Sequence, residues 1–465
     1  MSIKFKTIIG FSLILALMIS LSSCFLPLDA ILSDNSAENL EIVDVYINKY
    51  GELIFEYSNG EKENLGLVKG EDGEDGRDGE DGIDGKDGLD GKNGKDGLDG
   101  KDGKDGIYSD NGNIPSGDNA MSATSAVTRG LRSSVSIFCA FESGGQEYGS
   151  AGSGVIYHMN KENGSAFIIT NYHVVYDPDC NTYNGISDNI SVFLYGSEYN
   201  DMAIKATYVG GSMNYDIAVL YAENSDVLRN SDAVSIDIGD SDSVMVGDSA
   251  IAIGNPEGEG ISASYGIVSV DSEYITMTAA DNYTSVDFRV MRIDTAVNSG
   301  NSGGGLFNSK GQLVGIVNAK IIDENVENIG YAIPSSVAIS VAQNIIDHCY
   351  GTTVESVQRP LLGITITIDE SKAVYDEETN RIYIEERILI HEISESSIAK
   401  GRLEVGDELV SISINGESRS ITRQHHVIDY MLNARVGDSV TFEFLRNGEL
   451  MSTTVIIARN CITAT

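Results

Sequence analysis

The chain has 465 residues, enough for two to four domains, and its 31 basic and 70 acidic side chains give a net charge of −39. Charge of this sign repels nucleic acid phosphates and anionic lipid headgroups, which excludes nucleic-acid binding and attachment to a membrane through a basic patch. We expect no nucleic-acid partner, so a membrane link has to come from another feature of the chain.

An apolar run near the N-terminus predicts export from the cytoplasm. The run IIGFSLILALMISL follows Lys4 and Lys6 and is too short for an ordinary membrane-spanning helix. It ends in Leu-Ser-Ser-Cys, which resembles the lipobox of bacterial lipoproteins. The resemblance implies that residues 1–24 are a lipoprotein signal and that acyl chains on Cys24 anchor the protein to the outer face of a bacterial membrane. The alternative is a plain signal peptide with an incidental cysteine.

Two segments separate this signal from the first large domain. Residues 25–69 are predicted to be a tether and a small β-hairpin or meander, because apolar residues alternate and Asn59-Gly60 is a turn signal. Residues 70–106 have glycine at every third position, the period of a collagen triple helix, but they contain no proline and are rich in aspartate. A collagen-like trimeric stalk and an acidic disordered spacer are both open readings. Either would hold the following domains away from the membrane, and residues 107–125 are a polar linker.

From residue 126 the chain becomes rich in predicted strands. Short β-branched runs alternate with Gly, Asn and Asp turns up to residue 350, which predicts β-barrels or a sandwich. The stretch SSVAISVAQNIIDHC predicts a helix that closes this region. Residues 354–465 hold further strands and a helical stretch, QHHVIDYMLNAR, and are expected to form a separate domain of ordinary size.

The cysteines bear on the redox state of an exported chain. If Cys24 is lipidated, Cys139, Cys180, Cys349 and Cys461 remain, and an oxidising compartment would permit a Cys139–Cys180 bridge. Buried free thiols are the alternative. The cysteine spacing matches no zinc pattern, and we expect neither a metal nor a cofactor.

The stretch NSGNSGGG, at residues 298–305, stands out in a chain otherwise rich in β-branched residues. Glycine belongs where the backbone turns tightly or lies open to a ligand. One interpretation is a surface turn, and the other is a loop that presents Ser302 as a nucleophile. A serine nucleophile needs a base, and the base needs an orienting acid. His173 follows one predicted strand and Asp216 precedes another, so the chain offers His, Asp and Ser in the chymotrypsin order.

With these three residues the chain resembles the HtrA (DegP/DegS-like, Do-like) serine proteases from about residue 130 to the C-terminus. The resemblance implies a mostly β protein, with a chymotrypsin-like double β-barrel protease over residues 126–350 and a PDZ domain over residues 354–465. The matching blocks, in chain order, are GSGVI (152–156), TNYHVV (170–175), DIAVL (216–220), VGDSAIAIGNP (246–256), GNSGGGLFNSKGQLVGI (300–316) and IGYAIPSS (329–336).

The resemblance also implies a role for each site residue. Ser302 attacks the scissile carbonyl, His173 transfers the proton, and Asp216 fixes the imidazole tautomer. Gly300, Asn301 and Ser302 form the oxyanion hole, in which the backbone N–H groups of Gly300 and Ser302 hold the oxyanion. Asn301 stands where digestive relatives carry an aspartate that pairs with a newly cut N-terminus, so activation by N-terminal cleavage is not expected.

Two positions depart from the family pattern. Gly305 stands where the family usually has proline, which we expect to loosen the turn. Lys320 falls where the family often has an aliphatic residue beside the specificity pocket, and it either enters this pocket or faces solvent. Together with Ala296, Val297 and Ala319 it makes up the predicted substrate pocket.

The C-terminal block ISESSIAKGRLEVGDELVSISINGE resembles a PDZ domain, the usual HtrA partner. PDZ domains add a peptide as a strand at the edge of their sheet and hold its C-terminal carboxylate on backbone N–H groups. The resemblance places this loop at Leu361, Leu362, Gly363 and Ile364. The alternative is a domain that only packs on the protease.

These features predict a membrane-tethered, extracytoplasmic serine endopeptidase of HtrA type in the bacterial cell envelope, which cleaves unfolded or damaged exported proteins. The family further implies a homotrimer and C-terminal peptides as PDZ ligands. A dedicated regulatory protease with one substrate fits the composition equally. The other class of function is a non-catalytic surface adhesin or peptide-binding chaperone, against which the complete triad argues.

Overall fold

The computed structural model describes residues 42–47, 49, 52–67, 122–182, 184–197, 202–319, 329–354, 356–377 and 379–464. These fall into two compact units, one within residues 1–110 and one within residues 111–465. The predicted lipoprotein signal with Cys24, the Gly-X-Y segment and Lys320 lie outside the described residues.

The first unit contains an antiparallel meander of three strands. The turn between its second and third strands uses Gly60, whose φ of 83° favours glycine. Ile54 and Phe55 of the middle strand are buried. Of the hairpin and the meander expected here, the structure has the meander, formed by β1 (Ile42–Ile47), β2 (Glu52–Tyr57) and β3 (Lys62–Leu67).

The first barrel of the second unit is closed and has six strands. Neighbouring strands are antiparallel and follow the order β4-β5-β6-β9-β8-β7. Its core consists of branched apolar side chains such as Ile137, Ile156, Ile168 and Leu220, all buried. Side chains of this kind pack well on a pleated surface. The strands are β4 (Ser134–Ser143), β5 (Gln146–Asn160), β6 (Ser165–Thr170), β7 (Asn189–Leu194), β8 (Ile204–Ser212) and β9 (Ile217–Ala222).

A second closed barrel follows, with the order β10-β11-β12-β15-β14-β13. Ala252, Val268, Met291 and Leu306 are buried in its core. Two closed barrels in series confirm the predicted double-barrel fold. The strands are β10 (Ser249–Gly254), β11 (Ser262–Thr278), β12 (Ser285–Ile293), β13 (Gly305–Phe307), β14 (Leu313–Val317) and β15 (Gly330–Pro334).

Helix α1 corrects a sequence-based prediction, which placed a linker up to residue 125 and β-structure from residue 126. Ser122 caps α1 by accepting a hydrogen bond from a backbone N–H of the first turn, and Gly130 lets the helix approach Ile253 and Phe307 of the second barrel. No helix of the described residues is long and apolar enough to cross a membrane. The helices are α1 (Ala123–Leu131), α2 (Tyr172–Val175), α3 (Asp226–Asn230), α4 (Ser335–Cys349) and α5 (Gln424–Tyr430), with 3₁₀ turns at Ser241–Ser243, Pro256–Gly258, Met431–Asn433 and Arg459–Cys461.

The C-terminal part of the second unit is an antiparallel sheet with the strand order β17-β18-β19-β21-β22, to which β20 adds at β19. Strands β16 and β23 form a separate pair. Ile388, Ile412, Phe442 and Phe444 are buried in the core of this part. Its strands are β16 (Gln358–Pro360), β17 (Ile364–Asp376), β18 (Arg381–Ile393), β19 (Glu408–Ile414), β20 (Glu417–Ser420), β21 (Ser439–Arg446), β22 (Glu449–Ile456) and β23 (Ile462–Ala464).

Ion pairs join this C-terminal sheet domain to the second barrel. Arg289 of β12 pairs with Asp429 of α5, and the two side chains are only 4% and 7% exposed. Arg419 of β20 pairs with Asp242 of the barrel. Because a buried charge without its partner is costly, these contacts fix how the domain sits on the barrel.

The described cysteines, Cys139, Cys180, Cys349 and Cys461, are free thiols. Of the two alternatives open from the sequence, the structure therefore has free thiols and not a Cys139–Cys180 bridge. Cys139 lies in the core of the first barrel, where burial raises its pKa to about 12. A thiol of this kind behaves as a small apolar side chain.

Candidate active site

His173 and Asp216 meet at one end of the first barrel. His173 lies in the one-turn helix α2, directly after β6, and Asp216 directly precedes β9. Asp216 accepts two hydrogen bonds from His173, one to Oδ1 from the backbone N–H at 3.0 Å and one to Oδ2 from Nδ1 at 2.7 Å. A carboxylate in this position places the imidazole proton on Nδ1 and leaves Nε2 as the basic nitrogen.

Two buried asparagines complete the surroundings of Asp216. Asn318 Nδ2 donates to Asp216 Oδ2 at 2.8 Å, and Asn171 Nδ2 donates to the backbone carbonyl of Asp216 at 2.8 Å. Both asparagines are fully buried. Reasoning from the sequence missed them. The available signal for Asn318 was a polar side chain directly after the buried strand β14.

Ser302 lies in the turn before β13 of the second barrel and is 6% exposed. Its Oγ accepts a hydrogen bond from the Ala319 N–H at 3.2 Å. Ala319 directly follows Asn318, so consecutive residues of one segment contact the serine and Asp216. Within the part of the chain that the structure describes, Ser302 Oγ makes no hydrogen bond to His173. The structure thus brings the three predicted side chains into one region between the barrels.

The backbone around Ser302 leaves two N–H groups open. Among the described residues, neither the Gly300 N–H nor the Ser302 N–H has an acceptor in the protein. The Asn301 N–H, in contrast, donates to the Asn298 carbonyl at 3.0 Å and is not free for an oxyanion. The two open N–H groups are those of Gly300 and Ser302, the predicted donors to the oxyanion.

Glycine is required at two positions of this loop. Gly300 and Gly303 have φ values of 91° and 84°, in the left-handed region. A Cβ on Gly300 would lie 2.1 Å from the Asn255 carbonyl oxygen, and one on Gly303 would lie 2.2 Å from the Ser153 carbonyl oxygen. The loop needs glycine both for its conformation and for this close approach.

Gly305 does not loosen a turn, so that expectation is wrong. It begins strand β13, where it pairs with Ile253 and Ile316. A Cβ on Gly305 would lie 2.4 Å from the ring of Phe307. The phenylalanine therefore fills the space that a larger residue would need at this position.

Residues 152–316 match the family model for the trypsin-like peptidase domain. This chain carries a trypsin-like peptidase domain. The matched range contains His173, Asp216 and Ser302, the residues singled out above.

Several known serine proteases are similar to this chain. Serine protease Do-like HtrA of Bacillus subtilis (strain 168) is 32% identical over 309 residues, which are 65% of this chain and 62% of that protein. Periplasmic pH-dependent serine endoprotease DegQ of Escherichia coli (strain K12) is 30% identical over 318 residues, 67% of this chain and 60% of that protein. A solved HtrA-type protease, AlgW with tripeptide, shares 26% identity at a TM-score of 0.45 and covers 72% of this chain and 96% of its own. This chain spans 62% and 60% of the two curated relatives, and over these residues it is similar to HtrA and DegQ serine proteases.

Three of the four predicted pocket residues of the peptidase domain are described. Val297 is buried, Ala319 is half-buried, and Ala296 is exposed. The Ala319 N–H donates to Ser302 Oγ. Lys320 lies outside the described residues, and its place in the pocket stays a prediction.

The predicted carboxylate-binding loop, residues 361–364, connects β16 to β17 in the domain that follows the peptidase domain. The carbonyl oxygens of Leu362 and Gly363 accept hydrogen bonds from neighbouring serines, so they point into the domain. Among the described residues, the N–H groups of the same two residues have no acceptor, whereas that of Leu361 donates to the Cys461 carbonyl at 2.7 Å. Two backbone donors of this loop are thus available to an anion.

Among the described residues, Asp242, His425 and His426 are the one group of three or more His, Cys, Asp or Glu side chains whose possible ligand atoms all lie within 4.8 Å of one another. The Asp242 carboxylate is already paired with two arginines. His426 Nδ1 accepts a hydrogen bond from the Thr422 N–H at 3.3 Å. Atoms that a metal would need are therefore engaged with the protein.

Proposed function

We propose that this chain is a serine endopeptidase with Ser302 as nucleophile, His173 as general base and Asp216 as orienting acid. The observation that carries the proposal is the 2.7 Å hydrogen bond between His173 Nδ1 and Asp216 Oδ2, which leaves Nε2 basic. The match of residues 152–316 to a trypsin-like peptidase domain supports the same chemistry.

Each group has a defined task in this reaction. The Ser302 oxygen forms a bond to the scissile carbonyl carbon while its proton passes to His173 Nε2. The carbonyl oxygen becomes negative, and the free N–H groups of Gly300 and Ser302 stabilise it. The imidazolium then donates its proton to the departing amine as the C–N bond breaks, and water releases the acyl group by the same proton transfers. The serine–imidazole hydrogen bond commonly forms only with substrate in place.

Cleavage of unfolded, fluorescently labelled casein by the full chain tests this proposal. We expect wild type to cleave it and Ser302→Ala to be slower by roughly 10⁴-fold or more. Ser299→Ala is the matched control, because Ser299 lies in the same loop with an exposed side chain. It should cleave at the wild-type rate. If wild type does not cleave casein, the non-catalytic adhesin or chaperone function is favoured.

We further propose that the enzyme acts outside the cytoplasm, held to a membrane by lipid on Cys24 and separated from it by residues 70–106. The lipobox-like sequence and the exported type of the N-terminal segment support this. Radiolabelled palmitate should be incorporated into wild type and not into Cys24→Ser. Equal labelling of both proteins would contradict lipidation at this residue.

We propose unfolded exported proteins as substrates and the loop at 361–364 as the site that binds a C-terminal carboxylate. The open N–H groups of Leu362 and Gly363 support this assignment. A peptide with a free carboxylate should bind the full chain more tightly than its amidated counterpart in fluorescence anisotropy. Equal affinities would leave the domain as a packing module.

We propose a homotrimer, because the resemblance to HtrA proteases implies one and the Gly-X-Y period fits a three-stranded stalk. Analytical ultracentrifugation should show a trimer for the full chain and for a version that lacks residues 25–119. A monomeric full chain would contradict the proposal.

A further inference from the structure

Ser153 joins the two barrels next to the nucleophile. It lies in β5 of the first barrel and is 1% exposed. Its N–H donates to the Ser302 carbonyl at 2.8 Å, and its own carbonyl accepts a hydrogen bond from Thr170 Oγ at 2.7 Å. The backbone of this residue is therefore fixed on both sides, which also fixes where its hydroxyl points.

The Ser153 hydroxyl bridges two loops of the second barrel. Its Oγ donates to the Gly300 carbonyl at 2.7 Å and accepts a hydrogen bond from the Asn255 N–H at 2.8 Å. A hydroxyl has one proton and accepts through its lone pairs, so a single side chain serves both loops at once. Asn255 is fully buried, and loss of the hydroxyl would leave its N–H and the Gly300 carbonyl unpaired.

The loop that contains Asn255 also sets the direction of the Gly300 N–H. The Glu257 N–H donates to the Ser299 carbonyl at 2.8 Å. Because the peptide bond between Ser299 and Gly300 is trans and planar, its N–H points away from its carbonyl. The Gly300 N–H therefore faces the opposite side, where it has no acceptor among the described residues.

We propose that Ser153 is a positioning residue for the oxyanion hole. Its hydroxyl fastens the turn at residues 255–259 to the nucleophile loop and so keeps the Gly300 N–H turned toward the developing oxyanion. This inference rests on the proposed function. The oxyanion forms only on the way to the transition state, so loss of the hydroxyl should lower kcat and leave KM nearly unchanged.

Ser153→Ala in the full chain tests the inference through two readouts. The first is kcat and KM with labelled casein. The second is the rate at which a fluorophosphonate probe modifies Ser302, since the phosphoryl oxygen of the probe occupies the oxyanion position. We expect kcat and the modification rate to fall by roughly 10- to 100-fold, with KM changed less than about threefold.

Ser136→Ala is a matched control from the same layer of the barrel. Ser136 lies opposite Ser153 in the β4–β5 pair and is fully buried. Its hydroxyl has no hydrogen-bond partner among the described residues, so its removal breaks no bond. We expect wild-type kcat and an unchanged melting temperature.

Glu257→Val is a second variant that affects the Ser299–Gly300 peptide group, through the turn at residues 255–259. Glu257 has an exposed side chain and a φ of 56°, a conformation that β-branched residues avoid. The variant should show the same fall in kcat at constant KM, and it decides the question if Ser153→Ala does not fold. The inference is overturned if folded Ser153→Ala, or Glu257→Val, has the kcat and the modification rate of wild type. In that case Ser302→Ala should still be inactive, so the proposed function would stand. An inactive wild type would instead overturn the proposed function, and this inference with it.

Discussion

Asp216 adopts a backbone conformation that is uncommon for residues other than glycine. Its φ of 48° lies in the left-handed region, and the residue is 4% exposed. Such conformations cost of the order of 1–3 kcal/mol and persist where the surroundings enforce them. Here the enforcing contacts are hydrogen bonds from His173, Asn318 and Asn171 to the carboxylate and the backbone carbonyl. The direction of the Asp216 carboxylate therefore depends on the two asparagines as well as on His173.

Asn318→Ala should lower kcat by roughly tenfold with little change in KM, because it removes one donor that holds Asp216. Asn318→Asp should lower kcat further, since a second carboxylate would repel Asp216. The measurement is kcat and KM for casein as a function of pH. A wild-type kcat in Asn318→Ala would show that Asp216 keeps its orientation without the hydrogen bond from Asn318.

The motif order predicted His173, Asp216 and Ser302, but it could not predict what surrounds them. Asn318 follows β14 and Ser153 lies in β5, and their hydrogen bonds depend on how the barrels pack together. Nor could the motif order show that the Asn301 N–H donates within its own turn to the Asn298 carbonyl. Contacts between residues that are distant in the chain follow from the tertiary structure and not from local pattern.

Helix α5 is an element whose buried side chains can change charge. Burial lowers the pKa of His425 and of His426, and the positive charge of Arg289 lowers both further. Burial raises the pKa of Asp429 from 3.8 to about 6, against the opposing effect of Arg289. In the folded chain both imidazoles therefore lose their proton at a lower pH than in the unfolded chain. The Asp429 carboxyl, in contrast, keeps its proton up to a higher pH.

Acid should destabilise the second unit through this helix. Below the ordinary histidine pKa of about 6.5 the unfolded chain binds more protons on the two imidazoles than the folded chain does, so the free energy of unfolding falls as the pH is lowered. Between about pH 6 and pH 4 the folded chain binds a proton on Asp429 that the unfolded chain does not, which offsets part of this loss of stability.

His425→Gln should therefore reduce the loss of unfolding free energy below pH 6.5 by about 1.4 kcal/mol per pH unit. Urea unfolding at several pH values measures this slope. His391→Gln changes an exposed histidine and is the control. An identical pH slope in His425→Gln and wild type would contradict the assignment.

Element types were predictable where the apolar pattern was local and strong. The closing helix at Ser335–Cys349 coincides with its predicted stretch. Helix α1 escaped prediction because threonine and valine favour strands, and its packing on Ile253 and Phe307 of the second barrel overrides that preference. The long hairpin of β17 and β18 was also predicted only as unspecified strands.

At the scale of the molecule, arginines of the C-terminal domain meet aspartates of the peptidase domain in a chain that is strongly acidic. The reverse pair, Arg289 with Asp429, is the most buried of these contacts, and Arg289 also reaches Asp242. The fold class was predictable from strand-rich composition and the motif blocks. The docking of the two domains was not, because it depends on single charges far apart in the chain.

Arg289→Met should lower the free energy of unfolding by about 3–5 kcal/mol, because it leaves the Asp429 carboxylate buried without its partner. The double variant Arg289→Met/Asp429→Leu should recover much of this loss, since an apolar pair replaces the ion pair. Thermal and urea unfolding measure both values. Additive losses in the double variant would show that the two residues do not act as a pair.

The central claim is that Ser302 is an activated nucleophile. Its most direct test is to treat the native full chain with a fluorophosphonate and to locate the adduct by peptide mass spectrometry. We predict modification at Ser302 in wild type and a rate lower by at least roughly 10³-fold in His173→Ala, in which the base is missing. An adduct absent from Ser302, or formed there at the same rate without His173, would contradict the account.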